Sequence, residues 1–155
     1  PPPPPPSPPP PKSIIPAGGI KILHGGPKQD PDKKGVQLAC LVAGQEGEQQ
    51  VTAPFPTATS TNMMTIALQC CKKSDTPGGL DTCFRWIGSM PDGCVGGRGG
   101  VSGDLRKFTY EAAVRECRLL GIAHEGTPYT LCNHDCRNEG CKYNEGPVYT
   151  RLPCE

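Results

Sequence analysis

The residues with the most chemical capacity are ten cysteines: Cys40, Cys70, Cys71, Cys83, Cys94, Cys117, Cys132, Cys136, Cys141 and Cys154. Thiols at this density can cross-link, hold a soft metal or supply a nucleophile. An even count in a chain of 155 residues is the pattern of a disulfide framework. All ten are expected in bridges, with Cys70 and Cys71 going to different partners; ten cysteines allow roughly 900 pairings, so no map follows. The segment Cys132-Asn-His134-Asp135-Cys136, with Cys141 as a fourth ligand, has the residue types of a zinc site. The even count favours bridges there too, so no metal is expected. His24, His124 and His134 sit in no H-E-x-x-H pattern, and Gly88-Ser89-Met90 is not a nucleophile elbow. Asp81, Asp92, Asp104, Glu111 and Glu125 are scattered without pairing for glycoside hydrolysis. The chain is expected to have no catalytic residue and no cofactor.

Composition explains why bridges are needed. Hydrophobic residues make up 35% and aromatics 5%, with 20 Gly and 20 Pro, which is poor material for offsetting chain entropy by burial alone. Bridges persist in oxidising compartments, so an extracellular setting is expected. The sequence starts at Pro1 with no charged and apolar leader, which fits a secreted chain whose signal peptide has gone. No apolar run approaches a membrane span, so none is expected. A net charge of +1 from 16 basic and 15 acidic residues gives no footprint for nucleic acid.

Three regions are expected. Residues 1–11, PPPPPPSPPPP, have fixed φ and almost no amide donors, and read as a polyproline II arm of about 34 Å. Residues 12–35 read as a linker with two short strands around Ile14, Ile15, Ile20 and Ile22, one of which could add to a neighbouring copy's sheet. Its loop Gly25 to Gly35 begins an EF-hand-like pattern, but Lys34 and Leu41 fall where oxygen ligands belong, which excludes calcium. Residues 36–155 read as the cysteine-rich module, a small α+β fold of short antiparallel strands with one main helix.

Within the module, Gly35 to Val42 alternates Val36, Leu38 and Cys40 as a strand, and Met63 to Cys70 reads as another. Residues 44–62, with Pro54-Phe55-Pro56 and the run Thr57 to Thr61, read as a long polar connection. Lys72 to Gly103 is loop-rich, and GGRGGVSG fits no phosphate-binding spacing. The helix is placed at 110–120: Thr109 caps it, Tyr110, Ala113, Val114, Cys117 and Leu120 share a face, and Gly121 closes it. Thr130 to Thr150 carries three cysteines and a closing strand at Pro147 to Thr150.

Two resemblances follow. The proline run broken by Ser resembles hydroxyproline-rich wall glycoproteins of plants and green algae. That likeness implies hydroxylation and O-linked sugar at Pro1, Pro2, Pro3, Pro4, Pro5, Pro6, Ser7, Pro8, Pro9, Pro10 and Pro11. No N-x-S/T sequon occurs. IALQCC, CFRW, FTYEAAVRECRLLG, LCNHDC, GCKYN and PVYT, over residues 63 to about 151, resemble the lectin-like, WSC-like modules of secreted microalgal proteins. The combination is similar in architecture to pherophorin-like matrix glycoproteins. These likenesses imply an extracellular structural or sugar-associated role, in a cell wall, matrix or cell-surface filament. The function expected is a structural subunit whose arm and following strand dock on the next copy, head to tail, with copies of itself and its own glycans as partners. The alternative is a stalked carbohydrate-binding module using Trp86, Tyr129 or Tyr143, with Trp86 foremost.

Overall fold

A computed structural model describes residues 1–8, 14–26, 34–44, 51–100 and 103–155. The chain is a disulfide-rich α+β module. Strands β1 (Ile20–His24), β2 (Gln37–Leu41) and β8 (Pro147–Tyr149) form an antiparallel sheet in the order β2-β1-β8. β3 (Thr52–Pro56) and β4 (Thr61–Thr65) form a hairpin. β5 (Cys70–Lys72) lies between β6 (Thr82–Phe84) and β7 (Thr130–Leu131), also antiparallel.

β1 alternates between two cores. Ile20 and Ile22 enter the main one with Leu41, Ile66, Leu68 and Tyr149, while Leu23 enters a second with Ala67, Tyr143 and Val148. Its register, Ile22 opposite Tyr149 and Leu23 opposite Val148, keeps partners on the same face. The linker expected at 12–35 is thereby revised. Ile15, Ile20 and Ile22 are buried, and β1 is the middle strand of its own sheet, hydrogen-bonded on both edges. It has no free edge to offer a second copy. Only Ile14, at 46% exposure, faces solvent. Residues 14–19 form bends and turns, so the described residues of the segment contain one strand and not two.

The polar connection expected at 44–62 contains β3. Pro54 and Pro56 are compatible with a strand because they alternate with the bonded positions: Ile66 N–H donates to Val51 O at one end and Thr57 N–H to Ser60 O at the other, which places the ladder bonds at odd residues. The strand expected at Met63 to Cys70 is split between β4 and β5. Residues 66–71 are all buried and run through the centre of the module.

The helix α1 (Tyr110–Glu125) begins where expected, with Thr109 Oγ1 accepting from Ala112 N–H, but runs a turn further, to a left-handed cap at Gly126. Tyr110, Ala113 and Cys117 face the core as expected, whereas Val114 is exposed. Gly121 does not close the helix. It is buried within it, and a Cβ there would meet the backbone of residues 127–129 as the chain folds back. A Gly121→Ala variant is expected to lose about 1–3 kcal/mol by overpacking; urea unfolding with the bridges intact measures this, against an Arg115→Ala variant at an exposed position of the same helix as control.

Candidate functional site

The strand β6 runs directly into Arg85, which is 1% exposed. Its Nε donates to Gln69 Oε1 (3.0 Å), one terminal nitrogen to Asn144 Oδ1 (2.8 Å) and Gly140 O (3.4 Å), and the other to Gly25 O and Asp135 O (both 2.8 Å). The guanidinium also lies over the Tyr143 ring, 5.6 Å from its centroid. Burial lowers its pKa to about 10, while Asp135 pulls the other way. It is therefore charged at neutral pH and neutralised by carbonyl dipoles. A second buried polar centre is Asp81, whose carboxylate accepts from Ser74 N–H and Asn133 N–H and pairs with Arg151. Burial alone would raise its pKa, but the Arg151 contact and the two backbone donors outweigh burial and hold it below the ordinary value.

Arg85 anchors a loop of unusual backbone. Cys136, Asn138, Cys141 and Lys142 all have φ between 55° and 66°, in the left-handed region that costs a non-glycine residue about 1–2 kcal/mol. Two bridges, Cys83–Cys136 and Cys94–Cys141, fix the loop in that conformation. At its tip, Met90 and Trp86 occupy the space a Cβ on Gly140 would need. The surface here is an apolar cleft of about 450 Å³ lined by Met90, Pro91, Cys94 and Gly140, with Arg98 and Lys142 at its sides. Trp86, 39% exposed, borders a neighbouring cleft of about 300 Å³ with Phe84, His124 and Glu139.

Beneath this surface four sulfurs meet. Cys71, Cys83, Cys132 and Cys136 lie with their Sγ atoms within 4.8 Å of one another, bonded as Cys71–Cys132 and Cys83–Cys136. The other bridges are Cys40–Cys154, Cys70–Cys117 and Cys94–Cys141, and none of the ten cysteines is free. Cys70 and Cys71 do go to different partners. The Cys132/His134/Cys136/Cys141 grouping does not form, because Cys141 is tied to Cys94 in another part of the core.

The aromatic candidates separate. Tyr129 is buried, stacked on Phe84 with centroids 4.6 Å apart, and donates to Glu125 (2.7 Å). Tyr143 is 1% exposed and donates to Gly97 O (2.6 Å), and burial raises its pKa to about 12. Neither ring offers a face to a sugar, because both are buried against neighbouring side chains. Trp86 alone of the three is at the surface. Of the arm, residues 1–8 are all exposed, and Pro9, Pro10 and Pro11 lie outside the described residues. Arg85 carried no sequence signal beyond its place in CFRW, and Asp81 looked like one scattered carboxylate among several.

An Arg85→Met variant should unfold about 3–5 kcal/mol more easily in urea, since oxygens on five residues lose a shared donor. For Asp81, a lowered folded-state pKa means stabilisation that is present above the unfolded value near 4 and lost as pH falls through the folded one. Urea midpoints taken at neutral pH and near pH 3 should therefore fall less in Asp81→Asn than in the wild type.

No protein-family model, curated protein or solved structure matches this chain, so its reading rests on its own residues and geometry.

Proposed function

We propose that this chain is a structural subunit of an extracellular glycoprotein filament or matrix, in which the proline arm of one copy docks on the module of the next. The observation that carries this reading is the contrast between its two parts. Residues 1–8 are exposed throughout, and the module they lead into is closed by five bridges. A proline segment has little conformational entropy left to lose, so it binds apolar, aromatic-edged surfaces economically. The Met90, Pro91 and Gly140 cleft beside Trp86 supplies such a surface. A head-to-tail contact of this kind need not close on itself and so extends into a fibre. Five bridges suit an oxidising, extracellular setting, and no helix among the described residues is long and apolar enough to cross a membrane. Hydroxylation and O-linked sugar on Pro1 to Pro11 and Ser7 would sheathe the arm.

Trp86 also favours a second reading, a stalked carbohydrate-binding module. Its exposed ring stands next to Glu139 and His124, an aromatic face beside polar groups of the kind a sugar ring takes.

Electron microscopy and light scattering of the full chain and of a chain lacking residues 1–8 test the assembly. Filaments from the full chain and folded monomers from the shortened one are expected, with Trp86→Ala weakening assembly; filaments from the shortened chain would refute arm docking. On the second reading the shortened chain keeps binding glycans on an array, and Trp86→Ala loses that binding.

A further inference from the structure

The four sulfurs near the Trp86 surface belong to two bridges packed in contact. Cys71 and Cys83 face each other as direct partners across β5 and β6, yet each is bonded elsewhere. Across the two bridges, Cys71 Sγ lies 3.7 Å from Cys83 Sγ and 3.7 Å from Cys136 Sγ. A tetrahedral zinc tetrathiolate with Zn–S of about 2.3 Å has S···S edges of about 3.8 Å. Two of the four contacts between the bridges, both from Cys71, thus already have the spacing of a metal-bound quartet, and all four sulfurs lie within 4.8 Å of one another; with the bridges open, rotation about the side-chain bonds would have to part the two bonded pairs to the same spacing. Cys132 and Cys136 also have the separation of a zinc-binding pair, with three residues between them.

The backbone carrying these sulfurs is held by contacts that do not involve the two bridges. Asp135 N–H donates to Lys34 O, and Arg85 donates to Asp135 O (both 2.8 Å). Asn133 N–H donates to the Asp81 carboxylate (3.1 Å), Arg151 N–H to Cys132 O (3.0 Å), and Gln69 to His134 O (3.2 Å). His134 serves the cluster from outside it. Its Nδ1 accepts from Cys136 N–H (3.2 Å), so the neutral ring carries its proton on Nε2, 3.2 Å from Cys83 Sγ and 3.0 Å from Asp81 O. An N–H so placed can donate to a metal-bound thiolate, the usual outer-shell support of such sites.

We propose that Cys71, Cys83, Cys132 and Cys136 form a redox-gated metal site that, with both bridges open, holds one soft divalent cation such as Zn²⁺ as four thiolates. The chemistry balances with a phosphine as reductant: each bridge, with one phosphine and one water, gives two thiols and one phosphine oxide. Uptake of the cation then displaces the four thiol protons. The proposal is independent of the filament reading and concerns the same chain under reducing conditions.

The test reduces the full-length chain with a water-soluble phosphine and titrates it with Co²⁺, a spectroscopic stand-in for Zn²⁺. Expected are uptake of one ion per chain, the visible bands of a tetrahedral tetrathiolate, and displacement by Zn²⁺. A variant carrying Cys83→Ser and Cys136→Ser should lose that spectrum, while one carrying Cys94→Ser and Cys141→Ser should keep it. Circular dichroism with and without the ion reports whether the module persists. The proposal is overturned if the reduced chain takes up no ion, if it is unfolded even with the ion present, or if the spectrum survives loss of Cys83 and Cys136.

Discussion

A single guanidinium organises this molecule. Arg85 reaches from the end of one short strand to Gly25 beside the first sheet, to Gln69 in the central buried run, and to Asp135, Gly140 and Asn144 along the C-terminal loop. Gly25, Asp135 and Gly140 each present a backbone carbonyl that a donor must satisfy, and Gln69 and Asn144 present side-chain amide oxygens. A planar group with five donors in fixed directions can satisfy several of them at once, which a lysine could not. The cost is the desolvation of a full positive charge, and that is why the cage consists of carbonyl and amide oxygens, with the face of the Tyr143 ring completing it.

The bridges supply what an aromatic-poor core cannot. Each closes a loop of between 47 and 114 residues, worth about 4–5 kcal/mol apiece in the chain-entropy picture, and less in sum because the loops overlap. Part of that gain offsets the left-handed residues around Cys136 and Cys141. In the bridged chain the strained loop leans on both bridges, and the surface bearing Trp86 and Met90 is held with it.

How much could be read beforehand follows from range. The α+β class, the full bridging and the helix start at Thr109 were legible because they depend on counts and on neighbours a turn apart. The helix end was not, since Gly121 looks the same as a stop signal and as a point of close packing; only the return of residues 127–129 against it distinguishes the two. β1 looked like a detachable strand because nothing near it in sequence shows that β8, more than a hundred residues later, covers its second edge. Pro54 and Pro56 spoke against a strand until the ladder phase was known. At the surface, Trp86 could be picked out by type, whereas Tyr129 and Tyr143 could be sorted from it only by knowing which rings Phe84 and Arg85 had already covered.

The bridge between Cys40 and Cys154 has a mechanical meaning. Its two cysteines are 114 positions apart, yet they join the strand next to β1 to the far end of the chain. Tension entering through the proline arm and leaving at Glu155 would run along the first forty residues, cross the sulfur–sulfur bond, and bypass everything between. Residues 41–153 hang as a closed loop outside the line of force. A pull along that line meets a covalent stop at Cys40, so the backbone between the two cysteines carries none of the load, while β1, which feeds both cores, lies on the loaded side.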